Sequence, residues 1–382
     1  MDNKARYLIY AVVCIIALYY IASGVIGLLS NDDIGTNLVP DDVVQTSTND
    51  INIEQTEVLE DNAPLTYMSE VTYTTSDTYY NEIGEVLVLM YHGLTPKDNS
   101  NDKIHRSIEG FKDDLQSLYD KNYRLISLDD YINGNLNTPE GTTPVVLTFD
   151  DGLSTAFSLV KDGDTYKAKE NTALWIIEEF SKNHEDFGKT ATFFIYNKYD
   201  QFVGEGDLYD RFSYLLNLGY DLGNHSYSHS NIAELSKEDA IKEIGLNHTI
   251  MYNYGEYNSR AYAYAYGGYP EDDEYLEEIF SNSYNGLSYK YDIAFLATPD
   301  DNLSSNPYSL MFNKYKVPRI RGTNNEYYDL RYWLNHFDRN PKQRYFSDGD
   351  DKKISVPLEL FEKVDIDKVN NKGLNVDVII YE

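Results

Sequence analysis

Short apolar runs alternate in this chain with stretches whose apolar positions fall three and four apart, the signature of buried strands interleaved with amphipathic helices. Val86 to Met90 reads as a first buried strand ending at Tyr91-His92-Gly93. Phe111, Leu115 and Leu118 follow at helical spacing, Leu125 to Leu128 forms another short strand, and Asp129 is placed to cap a second helix. Pro144 then opens Val145-Val146-Leu147-Thr148-Phe149, a run closed by Asp150-Asp151-Gly152. Its β-branched and aromatic content and its length suit a buried strand of a parallel sheet. Downstream, Leu174, Ile176, Ile177 and Phe180 predict an amphipathic helix, preceded by a solvated insertion over 161–170. Thr190 to Tyr196 is a strand. Phe212, Leu215, Leu216 and Leu218 form a helix that ends at Gly219, and Ser236 with Asp239 caps one that continues through Ala240, Ile241, Ile244 and Ile250. Ala261 to Gly268 alternates Ala and Tyr, a strand pattern with its tyrosines on one face, and Ala294-Phe295 and Val317-Pro318-Arg319-Ile320 supply the last strands. Strands and helices in alternation predict an α/β layout.

The pattern changes at both ends. Tyr7 to Leu29 is an almost uninterrupted apolar run, long enough to span a bilayer at about 1.5 Å per residue. Lys4 and Arg6 precede it, so residues 1–6 are expected in the cytoplasm and the rest outside. A cleaved signal peptide is the rival reading, but its apolar core usually holds only about 7 to 15 residues. From 30 to 84 no Lys or Arg occurs and Asp, Glu, Asn and Thr dominate, which predicts an extended, self-repelling linker. A catalytic domain is expected over 85–323 and a β-rich extension over 324–382, where Ile354–Leu360 and Leu374–Tyr381 flank Asn370-Asn371-Lys372-Gly373 as a hairpin would.

Charge narrows the partners. A net charge of -31 over 382 residues argues against nucleic acid, whose phosphates need a basic surface, and disfavours an acidic partner. Neutral sugars or a partly cationic amino-sugar polymer are compatible with it. The single cysteine, Cys14, lies inside the apolar run, so the exported part has no disulfide to form.

Adjacent carboxylates at a strand end can reach one pocket where the chain turns, and they tolerate each other when something positive lies between them; a metal is the natural candidate. The plain alternative for Asp150-Asp151-Gly152 is an Asp-Gly turn. His225 and His229 stand four apart, so on one helical turn both imidazoles would share a face and meet one ion. An Asp/His/His set leaves a position open for water, as a catalytic zinc requires. No Glu follows His225 as in zinc peptidases, so a base must come from elsewhere, and Asp150 is free for it. His92 alone reads as a structural histidine, and Arg319 either orients the active-site carboxylate through a bidentate pair or forms a surface ion pair.

Thr148-Phe149-Asp150-Asp151-Gly152 with His225-Ser226-Tyr227-Ser228-His229 resembles the polysaccharide deacetylase family, carbohydrate esterase family 4. Val88-Leu89-Met90-Tyr91-His92, Ala263-Tyr264-Ala265-Tyr266-Gly267 and Val317-Pro318-Arg319-Ile320 resemble its poly-N-acetylglucosamine deacetylase branch, and the likeness runs from about Val86 to about Gly322. It implies a distorted (β/α) barrel, with Asp150 as general base, Asp151, His225 and His229 as metal ligands, His92 as general acid and a backbone N–H at Tyr266 for the oxyanion. Ala265 stands where the family usually has Pro, and the late Leu-x-His element of other branches has no match, His336 included.

The resulting expectation is a metal-dependent hydrolase, most simply a Zn2+ enzyme. It removes N-acetyl groups from N-acetylglucosamine units of an extracellular or cell-wall polymer and is held at the cell membrane by a single N-terminal helix. A non-catalytic carbohydrate-binding protein on the same fold and a xylan-type O-acetyl esterase are the alternatives.

Overall fold

The computed structural model describes residues 70–99, 102–299, 304–323 and 328–381. The expected membrane span at 7–29 and the linker up to 69 lie outside them; among the described residues no helix is long and apolar enough to cross a membrane.

The strands that build and support the site are β1 (Val71–Thr75), β2 (Leu87–Tyr91), β3 (Tyr123–Leu125), β4 (Thr143–Phe149), β5 (Thr192–Ile195), β6 (Asp221–Asn224), β7 (Ala261–Ala263), β8 (Ile293–Phe295), β9 (Ile320–Arg321), β10 (Lys353–Pro357) and β11 (Asn375–Ile380). An eight-stranded sheet runs β8-β7-β6-β5-β4-β2-β9, with β3 also on β4. Its pairings are parallel. Val317 bridges Phe295 of β8 while Ile320 pairs with Leu89 of β2, so the segment 317–321 touches both edges of the curled sheet.

Alternation along the strands sorts the core. Leu87, Leu89 and Tyr91 of β2 and Val145, Leu147 and Phe149 of β4 pack outward on α1 (Ile108–Asp120), α3 (Ala173–Asn183) and α4 (Leu208–Asn217). Val88, Val146, Phe194, Ala261, Ala263, Ile293 and Phe295 form the opposite, inner cluster. The inner face reads as continuous apolar sequence because both faces of a parallel sheet are covered.

Between α1 and α3 lies α2 (Leu128–Ile132), and its cap is Ser127, whose side chain accepts from the Asp130 N–H; the expected cap at Asp129 falls inside the helix instead. Ser236 does cap α5 (Lys237–Gly255) through the Asp239 N–H. The expected solvated insertion holds a small antiparallel hairpin, Leu159–Asp162 with Thr165–Ala168. The Ala-Tyr pattern yields a strand only over β7; Tyr262 and Tyr264 are buried against α5 and α6 (Asp273–Phe280), and the chain then leaves the sheet in a 3₁₀ turn, Ala265–Gly267.

Both flanking expectations need correction. β10 and β11 pair in parallel, not as a hairpin, and β1 adds in parallel to β11, giving the sheet β1-β11-β10. Parallel neighbours require a crossover, and it runs through a 3₁₀ segment and α8 (Ile366–Asn371), which follows α7 (Leu330–Arg339) in the chain. Asn370 to Gly373 therefore ends a helix, a role that asks for the same left-handed glycine as a hairpin turn; Gly373 has φ +67°. Residues 70–84, expected as the end of the linker, contain β1 and the buried Asn81, Glu82 and Ile83. β1 escapes pattern reading because most of its side chains are exposed and it contributes mainly backbone hydrogen bonds at a sheet edge. Val356, Val376 and Val378 of the small sheet belong to the same inner cluster as Val88 and Val146, so the barrel core continues into it without a break.

Candidate active site

Inward positions on β4 are Val146, Thr148 and, one step past the strand, Asp150, whose N–H still pairs with the Tyr91 carbonyl at 2.8 Å. Were the strand to continue, Asp151 would face outward. It adopts φ +74° instead and Gly152 φ +58°, so the chain reverses and both carboxylates line one cavity of about 270 Å³. Glycine suits this turn: its φ is +58°, and a Cβ would lie 2.0 Å from the Gln201 side-chain oxygen, which would have to move.

His225 follows β6 and His229 the loop beyond it, and both line the same cavity. They are not on a helical turn, as their spacing suggested. Ser226 (φ +62°) and His229 (φ +60°) are left-handed, and the loop is tied by side chains. Asn224 Oδ1 accepts from Ser226 N at 2.9 Å, Ser226 Oγ from Ser230 N at 2.8 Å, and Glu243 Oε2, from α5, accepts from Ser228 N at 2.8 Å. Asn and Ser offer such partners and so draw the backbone away from a helix. Asn247 supports Asn224 in turn, its amide donating to Asn224 Oδ1 at 2.9 Å and to the Ile195 carbonyl at 2.7 Å.

Ligand-type atoms of Asp151, His225 and His229 all lie within 4.8 Å of one another. Asp151 Oδ1 is 3.3 Å from His229 Nε2 and 3.7 Å from His225 Nε2, and it is buried without a hydrogen bond. His225 Nδ1 lies 2.8 Å from the Ala263 carbonyl, which requires a proton on Nδ1 and leaves the Nε2 lone pair facing Asp151. An orphaned carboxylate oxygen beside two imidazole nitrogens is a donor set that fits a divalent metal. Burial pushes the Asp151 carboxyl up, but His229 and the charges of His225 and His92 outweigh it and hold the group below the usual range. Burial keeps His225 and His92 below the usual imidazole value despite both carboxylates.

Asp150 is held differently. Arg319, fully buried, donates from Nη1 to Asp150 Oδ1 at 2.8 Å and from Nη2 to Oδ2 at 2.7 Å, so the bidentate alternative for this arginine is the observed one. Its Nε donates to the Leu296 carbonyl at 2.7 Å and Nη1 also to Thr148 Oγ at 3.0 Å. Burial alone would raise the Asp150 carboxyl; the Arg319 charge, that of His225 and the paired hydrogen bonds hold it at about 2. It is therefore an anion at any physiological pH.

His92 and Tyr266 complete the lining. Tyr266 sits at φ +57° with its ring 77 % exposed and edge-on to His229, centroids 4.5 Å apart. His336 lies on α7, bonded to Gln343, and lines a different cavity. Sequence reasoning brought Asp150, Asp151, His225, His229, His92, Tyr266 and Arg319 to the site; it missed Glu243 and Asn247, which carry no signal beyond lying on a helix, and Met90, Ile104 and Arg321 of the lining.

The polysaccharide deacetylase family model matches residues 137–279, which include Asp150, Asp151, His225, His229 and Tyr266 but not His92 or Arg319. The resemblance read from the motifs is thereby shown over that stretch. Solved structures similar in fold include a Streptococcus pyogenes deacetylase, PplD, in complex with acetate (16 % identity, 62 % of this chain and 92 % of that one, TM-score 0.46). Two more are IcaB from Ammonifex degensii (17 %, 64 % and 94 %, TM-score 0.44) and a de-N-acetylase from Aggregatibacter actinomycetemcomitans (14 %, 66 % and 99 %, TM-score 0.44). No curated protein matches the chain.

Proposed function

We propose that the chain is a metal-dependent deacetylase that hydrolyses N-acetyl groups on N-acetylglucosamine units of an extracellular or cell-wall polysaccharide. The observation that carries this reading is the convergence of Asp151, His225 and His229 beside a second carboxylate clamped by a buried arginine, all in one open cavity. Asp151, His225 and His229 would hold the ion, with Zn2+ the best match to an Asp/His/His set. When bound, such an ion polarises the acetyl carbonyl and acidifies water. That is the condition under which a carboxylate as weakly basic as Asp150 can serve as the base. Each Asp150 oxygen engaged by Arg319 keeps a second lone pair, so the clamp fixes the group's direction and leaves it able to take a proton from the attacking water. His92 delivers a proton to the departing amine; its lowered pKa makes it a strong donor once charged. The Tyr266 N–H is assigned to the developing oxyanion. In the proposed setting the apolar run at 7–29 anchors the protein and the enzyme works outside the membrane.

Acetate release from chito-oligosaccharides, measured with added zinc and with chelator, tests the reading. Binding of the oligomer without metal-dependent release would favour the non-catalytic carbohydrate-binding alternative. Faster release from acetylated xylan than from chito-oligosaccharide would favour the O-acetyl esterase.

A further inference from the structure

Arg319, just before β9, and Arg321, in β9, stand two residues apart at the seam of the curled sheet; Arg319 reaches Asp150 of the cavity lining and Arg321 lines the cavity itself. The first is fully buried and its charge is matched by Asp150. The second lies opposite Met90 of β2 in register and lines the cavity with His92, Asp151 and Tyr266. Among the described residues the Arg321 side chain makes no ion pair and no hydrogen bond; the Arg331 side chain is equally bare, but of the two only Arg321 lines the cavity, where the neighbouring Arg319 does have a carboxylate partner. Neither carboxylate of the cavity pairs with Arg321: Asp150 is taken by Arg319, and Asp151 faces His225 and His229.

We infer that Arg321 selects the substrate: the glycan carries an anionic substituent, a carboxylate or a phosphate ester, on the acetamido sugar or its neighbour, and the Arg321 guanidinium pairs with it. The inference rests on the deacetylase reading and narrows its substrate class. A guanidinium presents a planar fork that matches carboxylate and phosphate oxygens two at a time. The chain's overall negative charge opposes such a substrate only weakly, since exposed charges more than about 8 Å away are screened at physiological salt, while Arg321 acts at contact. The net charge thus describes the surface, and the cavity has its own sign.

The test compares three oligosaccharides of equal length in steady-state acetate release: a neutral N-acetylglucosamine oligomer, one alternating N-acetylglucosamine with N-acetylmuramic acid, and an N-acetylglucosamine oligomer bearing 6-phosphates. The zinc-loaded protein is expected to show a KM about 10-fold lower for at least one anionic oligomer than for the neutral one, the size of a charged hydrogen-bonded contact. Arg321→Gln should abolish that advantage, Arg321→Lys should restore part of it, and high salt should mimic the Gln variant. Whichever anionic oligomer loses its advantage identifies the substituent. An unchanged KM ratio in Arg321→Gln overturns the inference, as does a kcat loss equal on all three oligomers, which would mean that the arginine serves the reacting centre. Weaker inhibition by acetate with the ratio intact also overturns it and makes Arg321 a product site. No acetate from any oligomer removes the deacetylase reading and this inference together, whereas release with an unaltered ratio removes this one alone.

Discussion

The rim and the floor of the barrel each bury a carboxylate, and they treat it in opposite ways. At the rim, Asp150 meets the fork of Arg319 and is held at about 2. At the floor, Glu82 accepts from neutral groups only: Tyr345 Oη at 3.1 Å, Ser347 Oγ at 3.3 Å and the N–H groups of Asp348 at 3.3 Å and Ser355 at 2.8 Å. Burial, reinforced by the Asp348 charge, outweighs those bonds and pushes Glu82 up to about 8. At Glu82 the hydrogen bonds from neutral groups do not offset burial, whereas at Asp150 the Arg319 charge, with its paired hydrogen bonds, does. The rim spends an arginine to keep an anion ready at any physiological pH, while the floor uses its carboxyl to tie β10 to the segment before β2 and can do so protonated.

The rim breaks first when its metal site is removed. Asp151→Ala, His225→Ala and His229→Ala should each lose bound zinc and acetate release together, read by metal analysis and by an acetate assay; a zinc-free variant that still turns over would remove the metal from the reaction. Arg319→Met leaves Asp150 buried and unpaired and should cost about 3–5 kcal/mol of stability as well as activity, measured by denaturant unfolding. Should Arg319→Met fold as well as wild type, the clamp is not what holds this part of the rim. Asp150→Asn separates charge from shape: it should keep zinc and fold while losing about 10²–10⁴-fold in kcat, as for a lost general base. His92→Ala should retain zinc and lose about 10²-fold. Full activity of His92→Ala at every pH would remove it as the acid, and His336 cannot replace it, because it lines a different cavity.

Glu82 sharpens the comparison with the smallest effect. Its folded value lies above the unfolded one, so the folded state binds the extra proton. Stability should therefore fall as pH rises from about 4.3, where the unfolded group ionises, to about 8, and stay level beyond. Asp150 has the reverse sign: its contribution is present above the unfolded value and is lost only as pH falls toward about 2. Thermal unfolding across that range should show the Glu82 slope in wild type and a flatter one in Glu82→Gln. Equal slopes would mean that Glu82 is ionised in the folded protein and that the floor is wetter than its burial implies.

Pattern reading reached the alternating strands and helices because each of the main strands buries both faces and each helix one. It reached Asp150, Asp151, His225 and His229 because a strand-end Asp-Asp-Gly and a close histidine pair are local in the chain. It misread how the histidines are presented, since the loop is shaped by Glu243 and Asn224 from elsewhere, and it missed β1, whose exposed side chains carry no period. The hairpin expected at the C-terminus failed because a glycine after a helix and a glycine in a hairpin turn are the same residue in the same conformation; only the partner strand's direction separates them. Sequence by itself thus determined which residues have the chemistry and which strand ends they stand on, because backbone period and turn chemistry are local. Tertiary structure alone decided that Arg319 cancels Asp150 and that Arg321, two residues on, is left uncancelled in the cavity. Pairing of charges depends on distance through space, and the segment that closes the curled sheet brings residue 319 against residue 150.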